Sequence, residues 1–190
     1  MMKLILLVLI SFYHLNFVQC SKIASACFTG KYQGITGIIT FTEEDYGIRV
    51  DVDITGGLTD GPNPYHVHEY SIDYNGSCES AGGHLDPTGV GKVPGYVCNP
   101  KMPELCEYGD LSGKYGALPI SPSGVADDEY IDPFITLDDP QSGVIGRSIV
   151  IHEFQSHPDV SPPRIACANI VSGECVDEYR RSRLWKLPKN

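Results

Sequence analysis

The chain has 190 residues, of which 42% are hydrophobic and 20% charged, with a net charge of −10. That is the size of one ordinary domain and the composition of a folded protein rather than a disordered one. The acidic balance disfavours a nucleic-acid binder, and no apolar run is long enough to predict a membrane span.

Residues 1–20 (MMKLILLVLISFYHLNFVQC) hold one lysine, a short apolar run from Leu4 to Phe12, and Val18 and Cys20 ahead of Ser21. This predicts a secretory signal peptide cleaved before Ser21. Cleavage removes Cys20 and leaves six cysteines: Cys27, Cys78, Cys98, Cys106, Cys167 and Cys175. An even set in an oxidising compartment implies three disulfides, with the pairing open. Residues 21–178 then form one domain without internal repeats.

The 20 glycines and 14 prolines point to a loop-rich β protein. Gly34–Thr42 (GITGIITFT) and Gly47–Thr55 (GIRVDVDIT) read as a hairpin. In the second strand Ile48, Val50, Val52 and Ile54 alternate with Arg49, Asp51 and Asp53, so one face is buried and one is wet. Tyr65–Tyr70, Tyr130–Leu137, Val144–Phe154 and Arg164–Val171 are the further expected strands. With no helical apolar period anywhere, an all-β antiparallel sandwich or barrel is expected.

From Asn75 to about Ala126 the chain is rich in Gly, Pro, Cys, Asp and Lys, and so long a loop in one domain is usually functional. It opens on Asn75-Gly76-Ser77, a glycosylation sequon. Its GDLSGKYG stretch lacks the spacing of a phosphate loop. Residues 179–190 form a basic tail with Arg180, Arg181, Arg183, Lys186 and Lys189. A solvated tail is the simpler reading, and a tether to a polyanionic surface the sharper one. The tail has no apolar signal for a glycolipid anchor, so release in soluble form is expected.

His66 and His68 lie two apart on an expected strand and share a face. Alone, such a triplet more often marks a solvated strand. His152 ends the strand SIVIH, and His84 sits in AGGHLDP, where two glycines permit close backbone approach. Three or four neutral imidazoles suit copper better than magnesium or calcium. His157, in HPDVSPP, reads as a surface-loop histidine.

The stretches YHVHEYSID, CESAGGHLDP, EYGDLSGKYG, IDPFITLDD, VIGRSIVIHEF and PRIACANIV run in this order from about residue 65 to 171. Together they resemble the copper/zinc superoxide dismutase superfamily. The resemblance implies a Greek-key antiparallel β-barrel with copper on its outer face. It implies His66, His68, His84 and His152 as copper ligands, with His84 in the place of the imidazole that normally bridges copper and zinc. It also implies a Cys78–Cys167 disulfide, superoxide as substrate, and Arg164 as the residue that steers and holds the anion. The acidic body would repel that anion, so Arg164 must supply a local counter-field.

Two departures define the subfamily. No histidine lies between His84 and His152, and Lys92 and Glu107 stand where the family places zinc ligands; only Asp110 keeps its position. The interval from His152 to Arg164 is also shorter than the family's guiding loop. Both losses resemble the extracellular copper-only enzymes of fungi, which implies copper and no zinc. Glu107 and Asp110 are then candidates to orient His84 through its far ring nitrogen. Cys98 and Cys106 could be read as zinc thiolates, but their C-x7-C spacing and the oxidising compartment favour a disulfide that pins the loop. Cys27 and Cys175 are left to pair, tying the first strand to the tail.

The expected function is a secreted copper superoxide dismutase with Arg164, His84, Glu107 and Asp110 in catalytic roles. The rival is a secreted copper-binding protein that sequesters or delivers copper without turnover. Arg164 favours the enzyme, since copper storage needs no anion guide. A monomer is expected, with no nucleic-acid partner, no membrane anchor, and weak surface or cell-wall association only through the tail.

Overall fold

The computed structural model describes residues 22–58, 61–119, 123–154 and 162–175. The expected signal segment, His157 and the basic tail lie outside the described residues. Seven strands carry the fold: β1 (Ile23–Thr29), β2 (Thr36–Glu44), β3 (Gly47–Gly56), β4 (Tyr65–His68), β5 (Ala126–Asp132), β6 (Ser148–His152) and β7 (Arg164–Ser172). Among the described residues, one short α-helix, α1 (Leu111–Tyr115), and three 3-10 turns lie between β4 and β5.

All pairings are antiparallel, in the order β4-β6-β7-β1-β2-β3-β5. The chain therefore crosses the sheet three times, between β3 and β4, between β4 and β5, and between β5 and β6. The sheet curls, and its two edge strands meet through side chains: Tyr65 Oη of β4 and Tyr130 Oη of β5 are 2.7 Å apart. The result is a curled half-barrel closed by a tyrosine pair rather than by strand pairing.

The alternation in β3 becomes burial as expected, with Ile48, Val50, Val52 and Ile54 inside. They pack with Phe41, Ile39, Ile149, Ile151 and Ile170, all at most 1% exposed apart from Ile48 at 3%. Each such side chain contributes about 1.5–3 kcal/mol relative to exposure. At Gly37, beside a register shift in the β2–β3 hairpin, a Cβ would lie 2.3 Å from Asp53 O; only glycine lets the two strands come this close.

The strand expected over Tyr130–Leu137 lies upstream, at Ala126–Asp132. Its Asp127, Asp128 and Glu129 are exposed, so this edge strand shows little apolar pattern. Asp132 ends it by accepting the Phe134 N–H with Oδ1 at 2.8 Å. The other oxygen of Asp132 pairs with Lys114 of α1, and both side chains are fully buried. Burial pushes the Lys114 ammonium down from its ordinary range, against the pull of Asp132. Lys114 also donates to Tyr108 O at 2.8 Å.

Disulfides join Cys27 to Cys175, Cys78 to Cys167, and Cys98 to Cys106. The first fastens β1 to the segment after β7. The second fastens the long loop to β7. The third closes a ring within that loop.

The loop also covers the free edge of β4. Tyr65 N–H donates to Ser112 Oγ at 2.6 Å, and the same hydroxyl donates back to Tyr65 O at 2.9 Å. Val67 N–H donates to Gly109 O, Leu85 N–H to Val67 O, and Glu69 N–H to Gly83 O, each at 2.9 Å. These bonds fix the loop against β4 one residue at a time.

Candidate metal centre

His66 and His68 project from β4, His152 stands at the end of β6, and His84 is bridged to His68 across the β4 edge. One ring nitrogen from each of the four lies within 4.8 Å of the others. His66, His68 and His152 are buried and His84 is half-buried.

The opposite nitrogens show which atoms face the centre. His68 Nδ1 lies 3.0 Å from Gly82 O, and His152 Nδ1 lies 3.1 Å from Pro162 O. A carbonyl only accepts, so both Nδ1 atoms carry the proton and both Nε2 atoms keep a lone pair. Those two Nε2 atoms face each other at 3.4 Å. His84 Nδ1 sits 2.6 Å from Glu107 Oε2, which leaves its Nε2 free in the same way. His66 is reversed: its Nε2 is 3.5 Å from Asp110 Oδ1, while its Nδ1 is buried with no hydrogen-bond partner.

Lone pairs that face one another in a buried site satisfy nothing within the protein, whereas a shared cation satisfies them all. The donor set is all imidazole, which suits copper. Burial, followed by the neighbouring His84, lowers His66 well below its ordinary range and His68 to about 3; burial also lowers His152. These three imidazoles are therefore neutral at physiological pH, as metal binding requires.

The structure divides the two expected carboxylates. Glu107 takes His84, while Asp110 stands beside His66. Asp110 also caps α1, accepting the Gly113 N–H with Oδ1 at 2.7 Å. Burial pushes its carboxyl up, opposed by that N–H and by His84. Glu107 is held by Tyr96, whose Oη accepts the Glu107 backbone N–H at 2.8 Å. At Gly91 a Cβ would lie 1.8 Å from Glu107 Oε1, so glycine there makes room for the carboxylate. Gly109 interlocks the site: a Cβ would sit 2.1 Å from Val67 O and 2.8 Å from Leu85 N. It thus lies between the His66–His68 pair and His84. The sequence reading missed Tyr96, Gly91 and Gly109; a glycine next to the GDLSG aspartate was the one available signal.

Arg164 lines the same open cleft as the four histidines. Its Nη1 donates to Cys78 O at 2.8 Å and its Nη2 to Gly82 O at 2.6 Å, while Nε lies 3.6 Å from the exposed Glu79. The guanidinium thus holds the disulfide loop whose Gly82 carbonyl orients His68. Lys92 is exposed and lines a separate cleft behind the His84–Glu107 pair. Among the described residues, the four histidines are the one cluster with metal-ligand spacing. Cys98 and Cys106 are bonded to each other.

A curled antiparallel sheet with four imidazoles gathered on β4, β6 and a disulfide-pinned loop defines an all-β protein with a copper-type centre. The sequence matches copper/zinc superoxide dismutase over residues 35–170, and the chain belongs to that family. It is 32% identical to a cell surface superoxide dismutase (Cu-Zn) 6 of Candida albicans, over 84% of this chain and 49% of the relative. It is 37% identical to a cell surface Cu-only superoxide dismutase of Arthroderma benhamiae, over 55% of this chain and 26% of the relative. The chain therefore spans half or less of the length of these two relatives. The solved structure of Candida albicans superoxide dismutase 5 in its Cu(II) form superposes with a TM-score of 0.65 at 31% identity, covering 82% of this chain and 95% of that one.

Proposed function

We propose that this protein is an extracellular superoxide dismutase that works with one copper ion, held by His66 Nδ1 and the Nε2 atoms of His68, His84 and His152, and without zinc. The observation that carries the reading is the 2.6 Å contact between His84 Nδ1 and Glu107 Oε2. A carboxylate stands at the nitrogen that a second metal would need.

Copper, when bound, supplies the one-electron chemistry by which one superoxide is oxidised to oxygen and a second is reduced to peroxide. The protein supplies the rest. Arg164 presents a positive charge at the cleft and draws the anion in. Glu107 keeps the proton on His84 Nδ1 and so fixes the ring and its tautomer. His84 Nε2 is then the nitrogen whose lone pair can take a proton from solvent and pass it to the reduced product. Asp110 steadies the His66 ring from its Nε2 side. The extracellular location is supported by the leader pattern, the three disulfides and the cell-surface names of the relatives.

The test combines metal analysis with rate on one sample offered copper and zinc together. One copper, no zinc and fast disproportionation are expected. Stoichiometric zinc would overturn the copper-only reading. Bound copper without turnover would leave a copper carrier.

A further inference from the structure

The dismutase site leaves the sequon Asn75-Gly76-Ser77 unused, although it stands on the loop that carries Cys78. Asn75 is exposed, and its Nδ2 has only a long contact of 3.5 Å to Asp73 Oδ2. The segment around it is nevertheless locked. Gly76 N–H closes a turn onto Asp73 O at 3.0 Å, with Gly76 at φ +74°. Tyr32 Oη donates to Gly76 O, and a Cβ on Gly76 would lie 2.2 Å from Lys31 Nζ. Ser77 N–H donates to Asp73 Oδ1 at 3.3 Å, and Ser77 Oγ accepts the Glu79 N–H at 3.3 Å. The next residue is Cys78, bonded to Cys167.

We propose that Asn75 carries an N-linked oligosaccharide, attached before Cys78 joins Cys167. The inference rests on the extracellular reading, because the transfer takes place in the secretory pathway. The donor is a lipid-linked oligosaccharyl pyrophosphate. Asn75 Nδ2 loses a proton and bonds to the first sugar carbon, while the bond from that carbon to the pyrophosphate oxygen breaks and the lipid pyrophosphate leaves. Transfer needs an adaptable chain in which the Ser77 hydroxyl can reach the Asn75 amide. In the fold the Ser77 oxygen is turned to the Glu79 N–H, and the Asn75 amide to Asp73. The modification therefore belongs to the unlocked chain.

Sequence order provides the interval. Cys167 follows Cys78 by 89 residues, and at about 5–20 residues per second of synthesis it trails by roughly 4–18 s. Asn75 is exposed for that time beside a cysteine whose partner has not yet been made. Once attached, the oligosaccharide projects from an exposed turn and displaces nothing in the core.

The full chain is expressed with its own leader in insect cells, and medium and cells are both collected. The expected result is secreted protein whose Asn75 peptide carries a glycan, removed by peptide N-glycosidase to leave an aspartate. Ser77→Ala should abolish it. Folded, disulfide-bonded chain purified from bacteria should accept no oligosaccharide from microsomal transferase, whereas the same chain reduced and unfolded should accept it at Asn75. Secreted protein with bare Asn75 would overturn the glycan and leave the extracellular reading intact. Chain retained in cells without a glycan would overturn both. Equal transfer to folded and reduced chain would overturn the proposed order of events.

Discussion

Glu107 and His84 lie 23 residues apart and meet at 2.6 Å, the carboxylate oxygen against Nδ1. Removing the charge while keeping an acceptor separates its two contributions. Glu107→Gln should retain copper and lower turnover most at raised pH, where proton supply limits the cycle. Glu107→Ala, which leaves His84 without a partner, should cost about 10–100-fold in copper affinity or rate. Copper stoichiometry and a pH–rate profile of both variants check this. An unchanged profile in Glu107→Gln would remove the carboxylate from the proton chemistry.

The proposed anion guide, Arg164, also holds two backbone carbonyls, and one substitution cannot separate the two. Arg164→Ala removes the cation and also the bonds to Cys78 O and Gly82 O. Arg164→Lys keeps the charge and gives up the forked geometry. Arg164→Ala should slow the enzyme more at low than at high ionic strength. Arg164→Lys should keep the salt dependence of the parent at a lower rate. Equal losses at all salt concentrations in both variants would make the residue purely structural.

The site should depend on Gly109 more than on Gly83. Gly109→Ala drives a methyl into Val67 O and Leu85 N, whereas at Gly83 nothing lies within 4 Å of an added Cβ. Gly109→Ala should lose about 2–4 kcal/mol of stability together with copper binding, and Gly83→Ala should stay within about 0.5 kcal/mol of the parent. Thermal melting with metal analysis on both proteins checks the contrast.

Breaking the buried Lys114–Asp132 pair should be costly, because the remaining charge has no water to turn to. Lys114→Met should destabilise the fold by about 3–5 kcal/mol, read by denaturant unfolding. It should also weaken copper binding through α1, since Asp110 caps that helix and Ser112 sits on it. Destabilisation with copper affinity intact would uncouple α1 from His66.

Acid should weaken the metal-free fold through its histidines. His68 has its folded pKa lowered to about 3 from an ordinary 6.5. Above 6.5 neither state binds the proton; between 6.5 and 3 the unfolded chain binds it and the fold does not. Stability therefore falls as pH drops through that window. The melting temperature of copper-free protein should decline from pH 7 to pH 4, and His68→Gln should flatten the decline. Parallel curves for the two proteins would contradict the assignment.

The four histidines were legible in the sequence because each stands in a local pattern: alternate positions in a strand, a strand end, a glycine-lined turn. The carboxylate partners were legible as a pair but not in their allocation. Glu107 and Asp110 are three residues apart, and only the direction of the turn into α1 sends one to His84 and the other to His66. Tyr96 was invisible because it reaches Glu107 across a loop with no periodicity. The strand β5 was displaced downstream in the sequence reading because its outer residues, Asp127 to Glu129, are acidic, while the apolar run after Asp132 is interrupted by Pro133. The first strand, IASACFT, is built largely from small residues with weak strand preference.

The loop that covers the free edge of β4 has one more consequence. An uncovered strand edge recruits other strands, and in a secreted β protein that is a route to aggregation. Here the bonds from Ser112, Gly109 and Gly83 that align the imidazoles also occupy the donors and acceptors on which a foreign strand would grow. Damage to this loop should therefore appear twice, as lost copper and as chains that stick to one another. Selection against self-association would then preserve the geometry of the metal centre even where the demand for catalysis is weak.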